Sequence, residues 1–199
     1  MPAELWLREL QRLVASVAHE VRNPLNGVAL NLEVLRGRVG RSQGDPTALG
    51  GFAEAAVSDL GTAIRLCDAL LAVARPVREP TELGNVLEPI AVLAAAVAKA
   101  RGGALEVTLP DDMPPSLAIG ATAVRAALTS VFLAEAERGA AIRCIVVYEP
   151  ADVVVKVSTN REVVLSGTMA TDIEACGITV CPVPSGITLR IPRTGTAAP

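Results

Sequence analysis

Aromatic residues are nearly missing from this chain of 199 residues: phenylalanine, tryptophan and tyrosine together make up 2% of it. Hydrophobic residues nevertheless reach 51%, so the core must be built mainly from alanine, valine and leucine. Few rings are present to stack on unpaired bases, and a net charge of −3 provides no basic surface for a duplex. The composition therefore argues against a nucleic-acid partner.

Long apolar runs and metal-binding patterns are also missing. The longest uninterrupted apolar run, residues 90–98, is far shorter than the ~20 residues that cross a bilayer. Charged residues within the first nine positions are unlike a signal peptide. One histidine and no C-x-x-C pair make a zinc site improbable, so we expect reduced thiols at Cys67, Cys144, Cys176 and Cys181. The sequence predicts a soluble, cytoplasmic protein without a membrane or metal.

Two long amphipathic helices are predicted in the first part of the chain. Between residues 5 and 39, apolar residues recur every three or four positions, which is typical of a bundle helix. A second such stretch, residues 47–75, follows a connector rich in glycine and polar residues. Neither helix can bury its apolar side alone, so we expect the hairpin to pair with a second copy as a homodimeric four-helix bundle.

Helical and strand patterns alternate in the second part, which predicts an α+β fold with a mostly antiparallel sheet. We place the division between a helical hairpin, residues 1–78, and a small α/β sandwich, residues 79–199. The predicted helices of the sandwich cover 85–100, 121–137 and 169–175, and its predicted strands cover 105–109, 116–119, 142–148, 153–158, 178–181 and 187–191.

The single histidine, His19, lies in the first predicted helix. Its neighbours Glu20, Asn23 and Pro24 complete the pattern His-Glu-x-x-Asn-Pro-Leu. This pattern resembles the phosphoacceptor box of bacterial sensor histidine kinases, whose histidine carries a phosphoryl group. The hairpin resembles the dimerisation and histidine-phosphotransfer module of that family. An isolated helical histidine is more often without chemistry, but the box and the hairpin together favour a phosphoacceptor.

The resemblance implies roles for three further residues. Glu20 would be the acceptor or proton carrier for the second ring nitrogen of His19, because a phosphoryl-accepting imidazole needs a fixed tautomer. Asn23, one helical turn after His19, would orient a phosphoryl oxygen or an attacking water. Arg22 would either neutralise phosphoryl charge or be a solvated surface arginine, and the sequence leaves both roles open.

The order of helices and strands in residues 79–199 resembles the catalytic ATP-binding domain of the same kinases. The sequence departs from that family where nucleotide would bind. The asparagines of the family's magnesium-binding helix fall on Ala134 and Ser130, and alanine offers no oxygen. The family's Asp-x-Gly-x-Gly loop falls on Ser158, Asn160 and Glu162, so the glycines that allow close backbone approach are lost.

The segment after that loop is also short. Eight residues, 159–166, separate Ser158 from Gly167, which leaves no room for the family's long glycine-rich lid. We therefore expect an ATP-binding domain retained as a fold, which binds no nucleotide and no other cofactor.

An intact phosphoacceptor box beside a lost ATP site predicts a histidine phosphotransferase. It would exchange a phosphoryl group between His19 and aspartates of response-regulator receiver domains without using ATP. Two other functions stay open: a scaffold for kinases or receivers, and a receiver phosphatase that uses Asn23 and Glu20. The expected partners are receiver domains, a second copy of the chain and, as a further candidate, a sensor histidine kinase.

Overall fold

The structure, a computed structural model, describes residues 2–39, 46–76, 80–112, 115–163, 167–184 and 186–194. Its helices are α1 (Pro2–Val39), α2 (Pro46–Ala74), α3 (Leu83–Ala100), α4 (Ala121–Glu137) and α5 (Gly167–Glu174). Its strands are β1 (Thr81–Glu82), β2 (Ala104–Thr108), β3 (Ser116–Leu117), β4 (Ala141–Tyr148), β5 (Asp152–Thr159), β6 (Thr179–Val183) and β7 (Gly186–Pro192). A helical hairpin followed by an α/β layer confirms the predicted α+β architecture.

Helices α1 and α2 form an antiparallel hairpin. The guanidinium of Arg38 lies 4.9 Å from the centre of the Phe52 ring, near the connected ends of the two helices. Further along, Gly27 of α1 is so close to α2 that an added Cβ would collide with the Asp59 carboxylate. The connector, residues 40–45, lies outside the described residues.

The hairpin leaves apolar side chains exposed at seven-residue intervals, which is the spacing of a helix that packs against further helices. We call these residues the apolar stripes. They are Leu25, Leu32 and Val39 on α1, and Val57, Ile64 and Leu71 on α2.

The α/β layer contains a five-stranded sheet in the order β2-β4-β5-β7-β6. Strand β2 pairs in parallel with β4, and the other neighbours pair antiparallel, as the sequence mostly predicts. On one face Val155 of β5 lies between Val146 of β4 and Leu189 of β7, and all three are buried under the helices. The small pairing of β1 with β3 is not predicted, because two residues carry no periodicity.

One continuous core joins the hairpin to the α/β layer. Leu13 and Val17 of α1 and Val73 of α2 belong to the same buried cluster as Phe132 of α4 and the inner face of the sheet. Alanine, valine and leucine dominate this cluster, as expected. All four cysteines are free, and burial raises the pKa of Cys144 to about 12, so this thiol is inert packing. The division expected at residues 78 and 79 lies outside the described residues.

Helix α3 is long and apolar enough to cross a membrane by length and composition. Its environment here is protein, because half of that segment is buried. The buried positions, including Leu83, Ile90 and Val97, recur at helical spacing and pack into the shared core. In this fold α3 therefore packs against α4 and against both helices of the hairpin.

Candidate functional site

His19 lies near the middle of α1, and its side chain is exposed. The helix continues through Pro24, although proline cannot donate a hydrogen bond to the Glu20 carbonyl. The Glu20 side chain is half-buried, whereas Arg22 and Asn23 are exposed. The histidine is therefore open to a partner on one side and backed by protein on the other.

The helix before His19 is fixed to the α/β layer by ion pairs. Glu137 of α4 accepts hydrogen bonds from the guanidinium of Arg12 and, at 2.7 Å, from the Ser16 hydroxyl. Glu9, which is buried, also forms ion pairs with Arg8 and Arg12. These contacts end one turn before His19, so they position the backbone that carries the histidine.

At the start of α1 the same network reaches α5. The Arg8 guanidinium donates a hydrogen bond of 2.7 Å to Asp172. This bond raises the pKa of Arg8 above its ordinary value, against a smaller opposing effect of burial. Apolar contact with the core and the ion pairs thus hold the same half of α1.

A groove of about 270 Å³ lies beside His19, between α1 and the C-terminal end of α3. The α1 side presents both His19 and Glu20, although neighbouring residues on a helix point about 100° apart. The α3 side presents an apolar wall at Val97 and a cation at Arg101. The residues that line the groove are Ala15, Ser16, His19, Glu20, Val97 and Arg101.

The predicted site residues divide into two groups. The groove brings His19 and Glu20 together, whereas Arg22 and Asn23 are not among its lining residues. Asn23 follows His19 by four positions and therefore lies along the same side of α1. Within the described part of the chain, the side chains of all four residues form no hydrogen bond or ion pair. They are thus available to a partner or to a phosphoryl group.

Arg101 is the groove residue that sequence reasoning missed. In the sequence it only marks the end of a helix, followed by Gly102 and Gly103. It is separated from His19 by 81 intervening positions, residues 20–100, and no local pattern links the two. Only the packing of α3 against α1 brings this arginine to the groove beside His19.

Residues 9–78 match the model of the His Kinase A (phospho-acceptor) domain. This part of the chain is therefore similar to that domain family. The match contains His19, α1 from Glu9 onward and all of α2, so the resemblance to two-component histidine kinases is confirmed for this region. His19 stands within a phosphoacceptor domain.

Comparisons of the whole chain give weaker likenesses. No curated protein matches it in sequence. Among solved structures, it resembles the histidine kinase AdeS of Acinetobacter baumannii, with a TM-score of 0.49 and 12% identity over 89% of this chain and 98% of that chain. A histidine kinase from Burkholderia phymatum gives a TM-score of 0.49 and 12% identity over 94% and 98%. At this level of overlap, the two likenesses add nothing to the match of the phosphoacceptor hairpin.

The positions that the resemblance assigns to nucleotide differ in their surroundings. In α4, Ser130 is fully buried, and its hydroxyl has no hydrogen-bond partner among the described residues. Ala134, one turn later, is half-buried. At the end of β5, Ser158 pairs with Arg143 of β4, and its hydroxyl donates a long bond of 3.4 Å to the Arg143 carbonyl.

Hydrogen bonds also tie the following segment to the end of α4. The Arg138 guanidinium donates to both oxygens of the buried Glu135 carboxylate, at 2.9 and 3.1 Å, and to the Glu162 carbonyl at 3.1 Å. In return, Arg161 donates to the Arg138 carbonyl at 3.1 Å. The Asn160 side chain accepts a hydrogen bond from the Ala141 amide. These polar groups therefore satisfy one another within the protein.

Proposed function

We propose that this protein is a histidine phosphotransferase, which exchanges a phosphoryl group between His19 and receiver-domain aspartates without ATP. The observation that carries the proposal is an exposed histidine on a hairpin that matches a phosphoacceptor domain. The hairpin is joined to an α/β layer in which Ala134 and Ser158 replace the residues that bind nucleotide in the family. The hairpin, residues 1–78, would carry the chemistry. The layer, residues 79–199, would be an ATP-binding fold that no longer binds nucleotide or another cofactor.

Three features support the loss of ATP binding. Ala134 has no side-chain oxygen for a metal-bound triphosphate. Ser158 is shorter than the aspartate that would accept a hydrogen bond from adenine, and it lies within a paired strand. Only residues 160–166 connect β5 to α5, which is too short for a lid over a nucleotide.

The transfer step uses groups that the hairpin provides. A lone pair on one ring nitrogen of His19 attacks the phosphorus of an aspartyl phosphate. The N–P bond forms as the P–O bond to the aspartyl carboxylate breaks, and the electron pair leaves with that carboxylate. The proton on the other ring nitrogen passes to Glu20 or to water. Attack by a second receiver's carboxylate on phosphorylated His19 reverses these events and completes the relay.

The partners follow from the same surfaces. The apolar stripes would be buried between two hairpins, which gives a homodimer with a four-helix bundle. Receiver domains would reach His19 from its exposed side, where Arg22 and Asn23 also lie. A sensor histidine kinase is a further candidate partner, since another enzyme must introduce the phosphoryl group. These partners would make the protein a cytoplasmic relay.

A receiver panel tests the proposal. Phosphorylated receivers are mixed with the full chain or with His19→Ala, and the chain is examined for a label that is acid-labile and alkali-stable. We expect labelling of the wild type by at least one receiver and none of His19→Ala, because the chain has one histidine. Circular dichroism checks that the variant is folded. If every receiver in a broad panel leaves the wild type unlabelled, the phosphotransferase proposal fails.

A receiver phosphatase is the second candidate, favoured by the exposed and unbonded Asn23 one turn after His19. Its amide would orient a water that attacks the aspartyl phosphate. In that case a receiver would lose phosphate without labelling the chain, and Asn23→Ala would abolish the loss while His19→Ala retained it. Receiver binding without either transfer or loss of phosphate would instead indicate a scaffold.

A further inference from the structure

The groove beside His19 has walls from both halves of the chain. The phosphoacceptor hairpin supplies Ser16, His19 and Glu20, and the α/β layer supplies Val97 and Arg101. A phosphoryl group on His19 that turned toward this groove would therefore meet a side chain from outside the hairpin.

A phosphoryl group on His19 that lies in the groove needs a nearby cation to balance its negative charge. A phosphoryl group adds about two negative charges. Glu20 is the anion on the groove wall. Glu137 accepts a hydrogen bond from the Ser16 hydroxyl, and the Arg12 guanidinium already compensates its negative charge. Arg101 is the cation among the lining residues, and its guanidinium has no hydrogen-bond or ion-pair partner within the described part of the chain.

The backbone around Arg101 is tightly fixed. Its amide donates to the Val97 and Ala98 carbonyls and closes the end of α3. Gly102 has a φ of +80°, a left-handed conformation that favours glycine. An added Cβ at Gly139, which follows α4, would collide with the Arg101 carbonyl. The close packing of these two helix ends holds the arginine in place beside α1.

We propose that Arg101 binds the phosphoryl oxygens on His19, so that the phosphohistidine site is shared between the hairpin and the α/β layer. This inference rests on the proposed function, because it assigns a residue to the same transfer. A planar guanidinium with paired donors matches a phosphoryl group better than an ammonium does. The α/β layer thus contributes a catalytic residue to the transfer in place of ATP binding.

Phosphoramidate, a small phosphoryl donor, tests this assignment without a receiver. His19 attacks its phosphorus, the P–N bond breaks, and the nitrogen leaves as ammonia. Labelling rates are measured by ³¹P NMR on the full chain, with Arg101→Ala, Arg101→Lys and the control Lys99→Ala. Lys99 carries the same charge in the last turn of α3 but does not line the groove.

We expect Arg101→Ala to slow labelling of His19 about tenfold, which corresponds to one lost charge-assisted hydrogen bond. Arg101→Lys should restore part of the rate, and Lys99→Ala should label like the wild type.

Two results would overturn the assignment: an Arg101→Ala rate within about twofold of the wild type, or an equal loss in Lys99→Ala, which would indicate bulk charge alone. A wild type that labels from phosphoramidate but from no receiver refutes the proposed function, while the variants still decide the role of Arg101. A wild type that labels from neither source overturns both.

Discussion

The two halves of α1 contact different surroundings. In the N-terminal half, Leu5, Glu9, Leu13 and Val17 are buried against the α/β layer. In the described helix no residue after Val17 is buried, and apolar side chains such as Leu32 remain exposed at seven-residue spacing. One half of the helix is therefore part of the core, and the other is a surface suited to a second hairpin.

His19 lies where these two halves meet, two residues after Val17. The buried half fixes the backbone that leads to the histidine and brings Arg101 to the groove. The exposed half leaves the other side of His19 open to a partner. The position of His19 therefore depends on packing with the α/β layer, and not on the hairpin alone.

We expect the largest effect, loss of the dimer, when charged residues replace apolar ones in the exposed half of α1. Leu25→Asp combined with Leu32→Asp would remove four buried leucines from a symmetric dimer, at about 1.5–3 kcal/mol each. We expect this variant to be monomeric at concentrations where the wild type is dimeric. Sedimentation velocity measures the change.

Leu30→Asp is the matched control for that variant. Leu30 is 64% exposed and stands outside the seven-residue spacing, so its replacement should leave the dimer intact. A double variant that sediments like the wild type would contradict the assignment of the apolar stripes to the dimer interface.

We expect a smaller effect, a loss of folding stability, when a side chain in the buried half of α1 is truncated. Leu13 is fully buried in the shared core, so Leu13→Ala should lower the free energy of unfolding by about 2–5 kcal/mol. Leu7→Ala, at an exposed position of the same helix, should change it by less than about 1 kcal/mol. Urea unfolding followed by the fluorescence of Trp6, the one tryptophan, measures both. Equal losses would mean that α1 is not docked as described.

The ion pairs in the two halves of α1 should also differ in how much they contribute to the free energy of unfolding. Glu137→Gln removes the partner of Arg12 and Ser16 and should cost about 1 kcal/mol, because the group is only partly exposed. Glu33→Gln, in the exposed half, breaks a 3.9 Å pair with Arg36 and should cost almost nothing. The same urea measurement compares them, and a larger loss in Glu33→Gln would reverse the comparison.

Much of this architecture could be predicted from local patterns. The spacing of apolar residues predicts the two long helices and the order of elements in the α/β layer. The box around His19 predicts a phosphoacceptor, because its residues are close together in the sequence. These features depend on neighbours a few positions apart, and for that reason a single sequence contains them.

The contacts between distant segments could not be predicted in the same way. Glu137 accepts hydrogen bonds from Arg12 and Ser16, which lie more than 120 positions earlier in the chain, and no local pattern links these residues. The parallel pairing of β2 with β4 is set by how the chain crosses between them. Arg101 reaches the groove beside His19 only because α3 packs on α1, and this groove is therefore the least predictable part of the candidate site.

The smallest effect is expected at Arg22, for which the sequence left two roles open. Arg22 is exposed and does not line the groove that contains His19 and Arg101. If Arg101 binds the phosphoryl group, Arg22→Ala should change the phosphoramidate labelling rate by less than about twofold, as expected for a solvated charge. With a phosphorylated receiver as the donor, we expect Arg22→Ala to lower the labelling rate by more than this only at low salt. A surface arginine then speeds the encounter with an acidic partner. A tenfold loss with phosphoramidate would instead assign the phosphoryl group to the exposed side of α1 and to Arg22.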